Sequence, residues 1–277
     1  MTRLKTSDIS NISSRLETYN QELLSKTDRS LLGIACHACG KDEIQISRRI
    51  KSFCIHVVPV TAGQGIITDF SETVAAILKF LGFTALVSDL PDVSGVARAF
   101  ENKADAIMMA DDHRFVGLNL NTRSVADNSE ATGRVFAAAL DLMARGIENR
   151  KVLVMGCGPV GEAAAQTLLS SGARVGLCDS HFPAARLLKE RLSVYPGGNN
   201  IVIEADINMA LLNYEYILEA TPSADTISDR LIRDHMVIAA PGVPSGISKK
   251  GCQILKDRLI HDKLELGVAG MAICLVL

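Results

Sequence analysis

The sequence contains no tryptophan and few aromatic residues of any kind, 4% in all. That leaves little with which to stack unpaired bases, so a single-stranded nucleic-acid platform is not expected. Neither sign of charge dominates. There are 29 Lys and Arg against 31 Asp and Glu, which argues against a polyanion-binding face. Long apolar runs are missing as well. None approaches the roughly 20 residues of a membrane span. Thr2, Arg3 and Lys5 are not followed by the apolar core of a signal peptide. The expected compartment is the cytoplasm, with neither membrane nor nucleic acid as partner. Cysteine shows no disulfide pattern. The seven are an odd number, several in apolar stretches, and read as reduced, mostly buried thiols. Cys36-His37-Ala38-Cys39 is the one C-x-x-C. A structural zinc site needs a second pair at suitable spacing and none follows. The pair reads as thiols near a helix end, and no metal is expected. There is no internal repeat.

What is present centres on Lys151–Asp179, KVLVMGCGPVGEAAAQTLLSSGARVGLCD. Val152–Met155 is a short apolar run suited to a strand buried on both faces. Gly156, Gly158 and Gly161 then form G-x-G-x-x-G, with Pro159 and Val160 between the last two. The first glycine allows a sharp turn, the second lets a pyrophosphate approach the backbone, and the third lets the next helix pack close. Pro159 suits the first turn of a helix, whose N-terminal N–H groups face the phosphates. A second strand, Ala173–Cys178, ends at Asp179, about 20 residues on, where an acid binds the adenosine ribose hydroxyls. A carboxylate there repels a 2′-phosphate, and Ser180 and His181 follow rather than Arg. NAD is therefore expected over NADP.

The 277 residues suffice for two small domains. Thr6–Lys26 has a helical apolar stripe of Ile9, Ile12, Leu16, Tyr19 and Leu23. Helices are expected over Ser30–Cys36 and Lys41–Lys51, and these leading helices would supply packing or homodimer contacts. Strands are expected at Phe53–Val60, Thr84–Ser88, Ala106–Ala110 and Phe115–Leu120, with helices at Phe70–Leu81 and Val93–Glu101 and a polar loop at Asn121–Ser129. The alternation predicts an α/β fold: a small N-terminal α/β domain with mostly parallel strands, residues 1–130, then a Rossmann doubly wound parallel sheet, residues 131–277. Glu130–Arg145 is a bridging helix. Further Rossmann strands are expected at Asn200–Glu204, Tyr216–Ala220, Met236–Ala240 and Leu259–Ile260, with a closing helix at Leu266–Leu277.

In the first domain the strand ends deliver Thr61, Asp89 and Asp111 to the edge where open α/β sheets bind ligands. Asp111 and Asp112 form a paired carboxylate that suits a cationic amine, and partial burial would raise a pKa there. Asn119 and Asn128 lie in the loops beyond. Thr61 and the N–H groups of Ala62, Gly63 and Gln64 form a turn that suits a carboxylate. In the second domain, Glu219-Ala220-Thr221-Pro222 and Ala240-Pro241-Gly242 end strands and are expected beside the nicotinamide ribose.

Several stretches together carry a resemblance: VPVTAGQGIITDFSETV (57–74), SDLPDVSG (88–95), MADD (109–112), VADNSEATG (125–133), GCGPVG (156–161), EATPSADTI (219–227) and APGVPSGIS (240–248). From about Val57 onward the chain resembles the pyrrolysine synthase family. The resemblance implies an NAD-dependent dehydrogenase acting on an amino-acid substrate, a lysine acylated on its side-chain amine by 3-methylornithine. The ornithine terminal amine is oxidised and the ring closes to a pyrroline. It implies that Asp111 orients or deprotonates the substrate amine, that Asn128 holds its polar groups, and that Asp262 meets an amine. Ala62 stands where the resemblance leads one to expect Ser, and Lys41–Lys51 has no evident counterpart. Two other readings fit the architecture. One is a shikimate- or methylenetetrahydrofolate-dehydrogenase-like enzyme, although no convincing catalytic Lys follows the N-terminal strands. The other is an NAD-sensing protein without turnover.

Overall fold

The computed structural model describes residues 4–277. The chain opens with α1 (Thr6–Ile9) and α2 (Ile12–Thr27). The one helix expected here is two, because Ser10 and Asn11 form a turn between them, and both residue types compete for backbone hydrogen bonds. Next come α3 (Leu31–Ala38) and α4 (Glu43–Ile50). Ser30 caps α3 by accepting from Gly33 N, and Asp42 caps α4 by accepting from Gln45 N. The chain continues through β1 (Cys54–Val58), α5 (Phe70–Leu81), β2 (Thr84–Val87), α6 (Asp92–Glu101), β3 (Ala106–Ala110), β4 (Phe115–Asn119) and β5 (Val125–Asp127). These strands form one sheet in the order β2-β1-β3-β4-β5. β1 runs parallel to β2 and β3, while β4 is antiparallel to both its neighbours. The sheet is thus mixed rather than mostly parallel. β5 falls inside the stretch expected to be loop. It has three residues, of which only Ala126 is buried, too few to show a period of two in sequence.

The long helix α7 (Asn128–Met143) follows and already includes Asn128. Then come β6 (Lys151–Met155), α8 (Pro159–Ser170), β7 (Arg174–Cys178), α9 (Phe182–Leu192), β8 (Val202–Ile203), α10 (Ile207–Asn213), β9 (Tyr216–Glu219), β10 (Val237–Ala239), α11 (Lys249–Leu255), β11 (Leu259–Ile260) and α12 (Glu265–Val276). α10 and α11, seven residues each, are too short for a helical period to show, although their caps Asp206 and Ser248 stand in the sequence. β6 to β11 form a six-stranded sheet in the order β11-β10-β9-β6-β7-β8 with every pairing parallel. Two wings wind outward from β6, so the direction of winding reverses between β6 and β9. That reversal is the topological switch point of a doubly wound sheet. Every residue of β9 and all but Lys151 of β6 are buried, which is why Tyr216–Leu218 and Val152–Met155 read as unbroken apolar runs.

The chain divides into two compact units. One comprises residues up to Leu24, Arg29–Ala131 and Lys263–Leu277, and the other Ser25–Asp28 and Thr132–Asp262. Lys26 accounts for the short excursion, since its Nζ donates to the Leu259 carbonyl at 2.8 Å. The closing helix α12 was expected in the Rossmann half. It belongs instead to the first unit, where it packs against α3, α5 and β4. Ten of its twelve residues are buried, so it has no face to give to solvent. Asn119, at the end of β4, ties it down: the Asn119 amide donates to the Leu275 carbonyl at 2.6 Å, and its oxygen accepts from Asn121 N and Thr122 N. Asn119 is itself buried.

Asn119→Ala leaves one buried carbonyl and two turn N–H groups without a partner, so a loss of about 2–4 kcal/mol is expected. Urea unfolding followed by circular dichroism measures it.

Candidate functional site

In the second unit the phosphate turn is built as its glycines require. Gly156 sits at φ +89, and a methyl group on it would lie 2.8 Å from the Ala220 carbonyl oxygen. Its N–H donates to the Cys178 carbonyl at 2.9 Å. A methyl on Gly161 would fall 1.9 Å from the Gly156 carbonyl oxygen, so α8 approaches β6 as closely as it does only without a side chain there. Gly158 is different. It has an ordinary extended conformation, φ −79 and ψ −173, and a methyl on it would meet no atom within 4 Å. The fold therefore does not require glycine at 158. The open space before it is what a bound pyrophosphate would fill. Gly158 also starts α8 with no side-chain cap and with Pro159 in the first turn, which leaves Val160 and the other first-turn N–H groups directed toward an anion.

Asp179 is fixed by backbone on both oxygens. Cys157 N donates to Oδ2 at 2.7 Å and His181 N to Oδ1 at 2.8 Å. Each oxygen keeps a lone pair for a hydroxyl. On the other side of β6, the strand order places the ends of β9 and β10. Thr221 and Gly242 approach each other there: a methyl on Gly242 would sit 2.4 Å from the Thr221 carbonyl oxygen. Pro222 is exposed and Pro241 half-buried. Beneath them lies Glu219, 0% exposed, which sequence reasoning had passed over as part of a turn. The signal was present, a single acid closing the apolar strand YIL. Burial pushes its pKa up, against hydrogen bonds from Thr221, Gly246 and Thr226 that pull it down. Asp262 is buried just beyond β11, and the neighbouring His261 Nδ1 lies 2.7 Å from the Ala240 carbonyl.

In the first unit the loops after β1, β2 and β3 leave the same sheet edge and are pinned by two acids. Thr61 donates its N–H, at 2.8 Å, and its hydroxyl to Asp92. Gln64 N donates to Asp112 Oδ2 at 2.7 Å, and a methyl on Gly63 would lie 2.1 Å from that same oxygen. The acid that bonds Thr61 is Asp92, at the start of α6. Asp112 is thus an anchor for the Thr61–Gln64 loop before it is anything else. Ala62 is exposed at the loop's tip. Asp111 turns its Oδ1 onto the N–H groups of Arg114, at 2.7 Å, and His113, at 2.8 Å. Those bonds hold its pKa below the ordinary carboxylate value, contrary to the rise expected from partial burial, because the side chain is exposed. Arg114 in turn pairs with Asp127 at 2.9 Å, and Asp127 Oδ1 accepts from Ser129 N. Between them, Asn128 is half-buried, and its amide has no hydrogen-bond partner among the described residues. The structure therefore gathers Thr61, Ala62, Gly63, Asp111 and Asp112 on one edge of this sheet, whereas Asp262 belongs to the other unit. Among the described residues no group of three or more His, Cys, Asp or Glu stands together to hold a metal ion. No helix among them is long and apolar enough to cross a membrane.

Fold and site together define a two-unit α/β protein of the dehydrogenase type, with a phosphate turn on a doubly wound sheet. A solved shikimate dehydrogenase in complex with NADP+ shares this fold, with a TM-score of 0.56 at 12% identity over 81% of this chain and 89% of that one. Residues 8–126 match the family model described as the pyrrolysine biosynthesis protein PylD, N-terminal domain. The pyrrolysine synthase of Methanosarcina acetivorans is 33% identical over 92% of this chain and 95% of its own length. That of Methanosarcina barkeri is 31% identical over 98% and 97%. The chain belongs to the pyrrolysine synthase family.

The glycines of the turn should separate by experiment. Gly158→Ala is expected to leave the melting temperature nearly unchanged. Gly161→Ala forces backbone apart and is expected to cost about 2–3 kcal/mol or more. Thermal unfolding of both variants checks the contrast.

Proposed function

We propose that this protein carries out the dehydrogenase step of pyrrolysine biosynthesis with NAD. The observation that carries the reading is the turn at Gly156–Gly161 facing a backbone-fixed Asp179, in a chain of this family. The residues fit the cofactor, since Gly158 opens onto space that the fold itself does not use. Bound there, NAD would supply the hydride acceptor. The carboxylate of Asp179 suits the free 2′-hydroxyl of NAD and repels the phosphate of NADP.

The substrate is L-lysine whose Nε is acylated by 3-methyl-D-ornithine. Its ornithine terminal ammonium first releases a proton to water. The carbon bearing that amine then loses a hydride, which gives an iminium. The ornithine α-amine adds to the iminium carbon, a proton moves from the incoming to the outgoing nitrogen, and ammonia leaves, closing the pyrroline. Amine and electrophile lie in one molecule, so ring closure needs shape and orientation more than further catalysis. The chain's own part is electrostatic. Asp111 stays anionic down to pH values below the ordinary carboxylate range, because its hydrogen bonds depress its pKa. It therefore suits the ammonium and the iminium charge that grows as hydride departs, better than the work of a high-pKa base. The uncommitted amide of Asn128 holds polar groups of the substrate, the N–H groups of Ala62 and Gly63 receive its carboxylate beside the committed Thr61 and Gln64, and Asp262 meets an amine.

The test is to mix purified protein, NAD and L-lysine-Nε-3-methyl-D-ornithine, follow NADH absorbance, and identify the cyclised product by mass spectrometry. NAD binding without NADH would remove the substrate assignment; absence of NAD binding would remove the cofactor. Asp111→Asn is expected to lower kcat by about 10²–10³-fold with the Kd for NAD unchanged, and full activity in that variant would take Asp111 out of the reaction. The acid limb of the pH profile above pH 5 should not be its titration, since its pKa is shifted downward. Asp179→Ala is expected to narrow the preference for NAD over NADP in competitive binding, and an unaltered ratio would mean that another group reads the ribose.

A further inference from the structure

We infer that Glu219 is a positioning residue for the nicotinamide half of the cofactor, welding the loops that follow β9 and β10 into a single wall. The inference rests on the dinucleotide reading above and goes further by dividing the site into two independently tunable halves. The topology supplies the division. The phosphate turn caps β6, and Asp179, which suits the adenosine ribose, caps β7 on one side. The strands on the other side of β6 are β9 and then β10. A dinucleotide with its pyrophosphate over Gly158 and its adenosine over β7 must send its other half across the ends of these two strands.

Glu219 is the last residue of β9, fully buried, and its carboxyl is the meeting point of both loops. Oε1 accepts from Thr221 N at 2.9 Å, from the Thr221 hydroxyl and from the Thr226 hydroxyl at 3.4 Å, all in the loop after β9. Oε2 accepts from Gly246 N at 3.3 Å, in the loop after β10. The two loops are stitched further along by Ile227 N to the Gly246 carbonyl at 2.9 Å, and Gly242 N bonds the Glu219 carbonyl at 3.1 Å. The socket leaves no spare room. A methyl on Gly246 would lie 2.5 Å from the Glu219 carboxyl carbon, and one on Gly242 would lie 2.6 Å from Oε2.

A carboxyl in such a place is costly to desolvate. An apolar side chain of similar volume would fill the socket, yet would strand the Thr221 and Gly246 N–H groups inside the protein. What distinguishes Glu219 from a spacer is therefore the orientation it imposes on those two loops. The phosphate turn approaches this wall where Gly156 faces Ala220 and Thr221 N, while Asp179 is held by separate bonds from Cys157 and His181. Disturbing the carboxyl should loosen one half of the site and spare the other.

Isothermal titration calorimetry without substrate, using NAD and ADP on the wild type, Glu219→Gln and Thr226→Val, tests this. Glu219→Gln keeps the volume but turns an N–H donor toward groups that themselves donate. Its Kd for NAD is expected to rise about tenfold or more, about 1.4 kcal/mol per decade, while its Kd for ADP stays within about twofold. Thr226→Val removes a half-buried hydroxyl that reaches both Glu219 Oε1 and the Gly246 carbonyl, each at 3.4 Å, and is expected to raise the Kd for NAD about threefold, again sparing ADP. Equal weakening of NAD and ADP, or unchanged NAD binding, would overturn the inference. If Glu219→Gln does not fold, Thr226→Val decides alone. A wild type that binds neither ligand would refute the dinucleotide reading and this inference with it, a result distinct from selective failure of the variants.

Discussion

A helix with no polar face must be buried on all sides. α12 is such a helix, and the architecture of the first unit follows from that need. The mixed sheet offers one flank, α3 and α5 offer others, and the buried Asn119 closes the remaining gap by taking up a carbonyl near the helix's last turn. Once α12 is seated, the loops at the carboxyl ends of β1 and β3 emerge from a rigid sheet. Those loops carry Thr61, Ala62, Gly63, Asp111 and Asp112. Their conformations are then set by short acid-to-backbone bonds rather than by packing.

The second unit depends on a different economy. Three glycines look alike in a motif but answer to different demands. Gly156 and Gly161 are demanded by neighbouring backbone, one by its positive φ and one by a carbonyl that leaves no room for a methyl. Gly158 answers to nothing inside the protein. A glycine without an internal reason, beside uncapped N–H groups and a pinned carboxylate, is the kind of local inconsistency that marks a ligand site.

Much of this was legible before any coordinates. The parallel strands of the second sheet were visible because burial on both faces leaves unbroken apolar runs, and the phosphate turn because its spacing sits between a strand and a helix. α5 was visible to the residue, from Phe70 to Leu81, because its apolar period is complete and Gly82 stops it. The rest failed for physical reasons. β5, α10 and α11 are shorter than any period that could betray them. α12 was placed with the wrong unit because uniform apolarity says that a helix is buried but not where. Among the acids, sequence could find Asp111 and Asp112 at a strand end. It could not tell that Asp112 would be spent on Gln64, that Asp92 would reach Thr61, or that exposure and two N–H groups would lower the pKa of Asp111 instead of burial raising it. Glu219 read only as the first residue of a turn, because only the fold of two distant loops over it turns a strand-end acid into a hub.

The return of residues 263–277 to the first unit has a consequence for how the molecule is made. In sequence the doubly wound unit, apart from four residues near Lys26, is a single uninterrupted segment, so nearly all of its contacts become available as soon as Asp262 has been synthesised. The first unit is assembled from pieces on either side of that segment, and its central helix is the last described element of the chain. On a ribosome the earlier strands would wait, with their apolar faces uncovered, for the whole second unit to pass. Order of emergence therefore runs opposite to order of completion: the part translated first is finished last, and it depends longest on whatever shields exposed apolar surface in the cell.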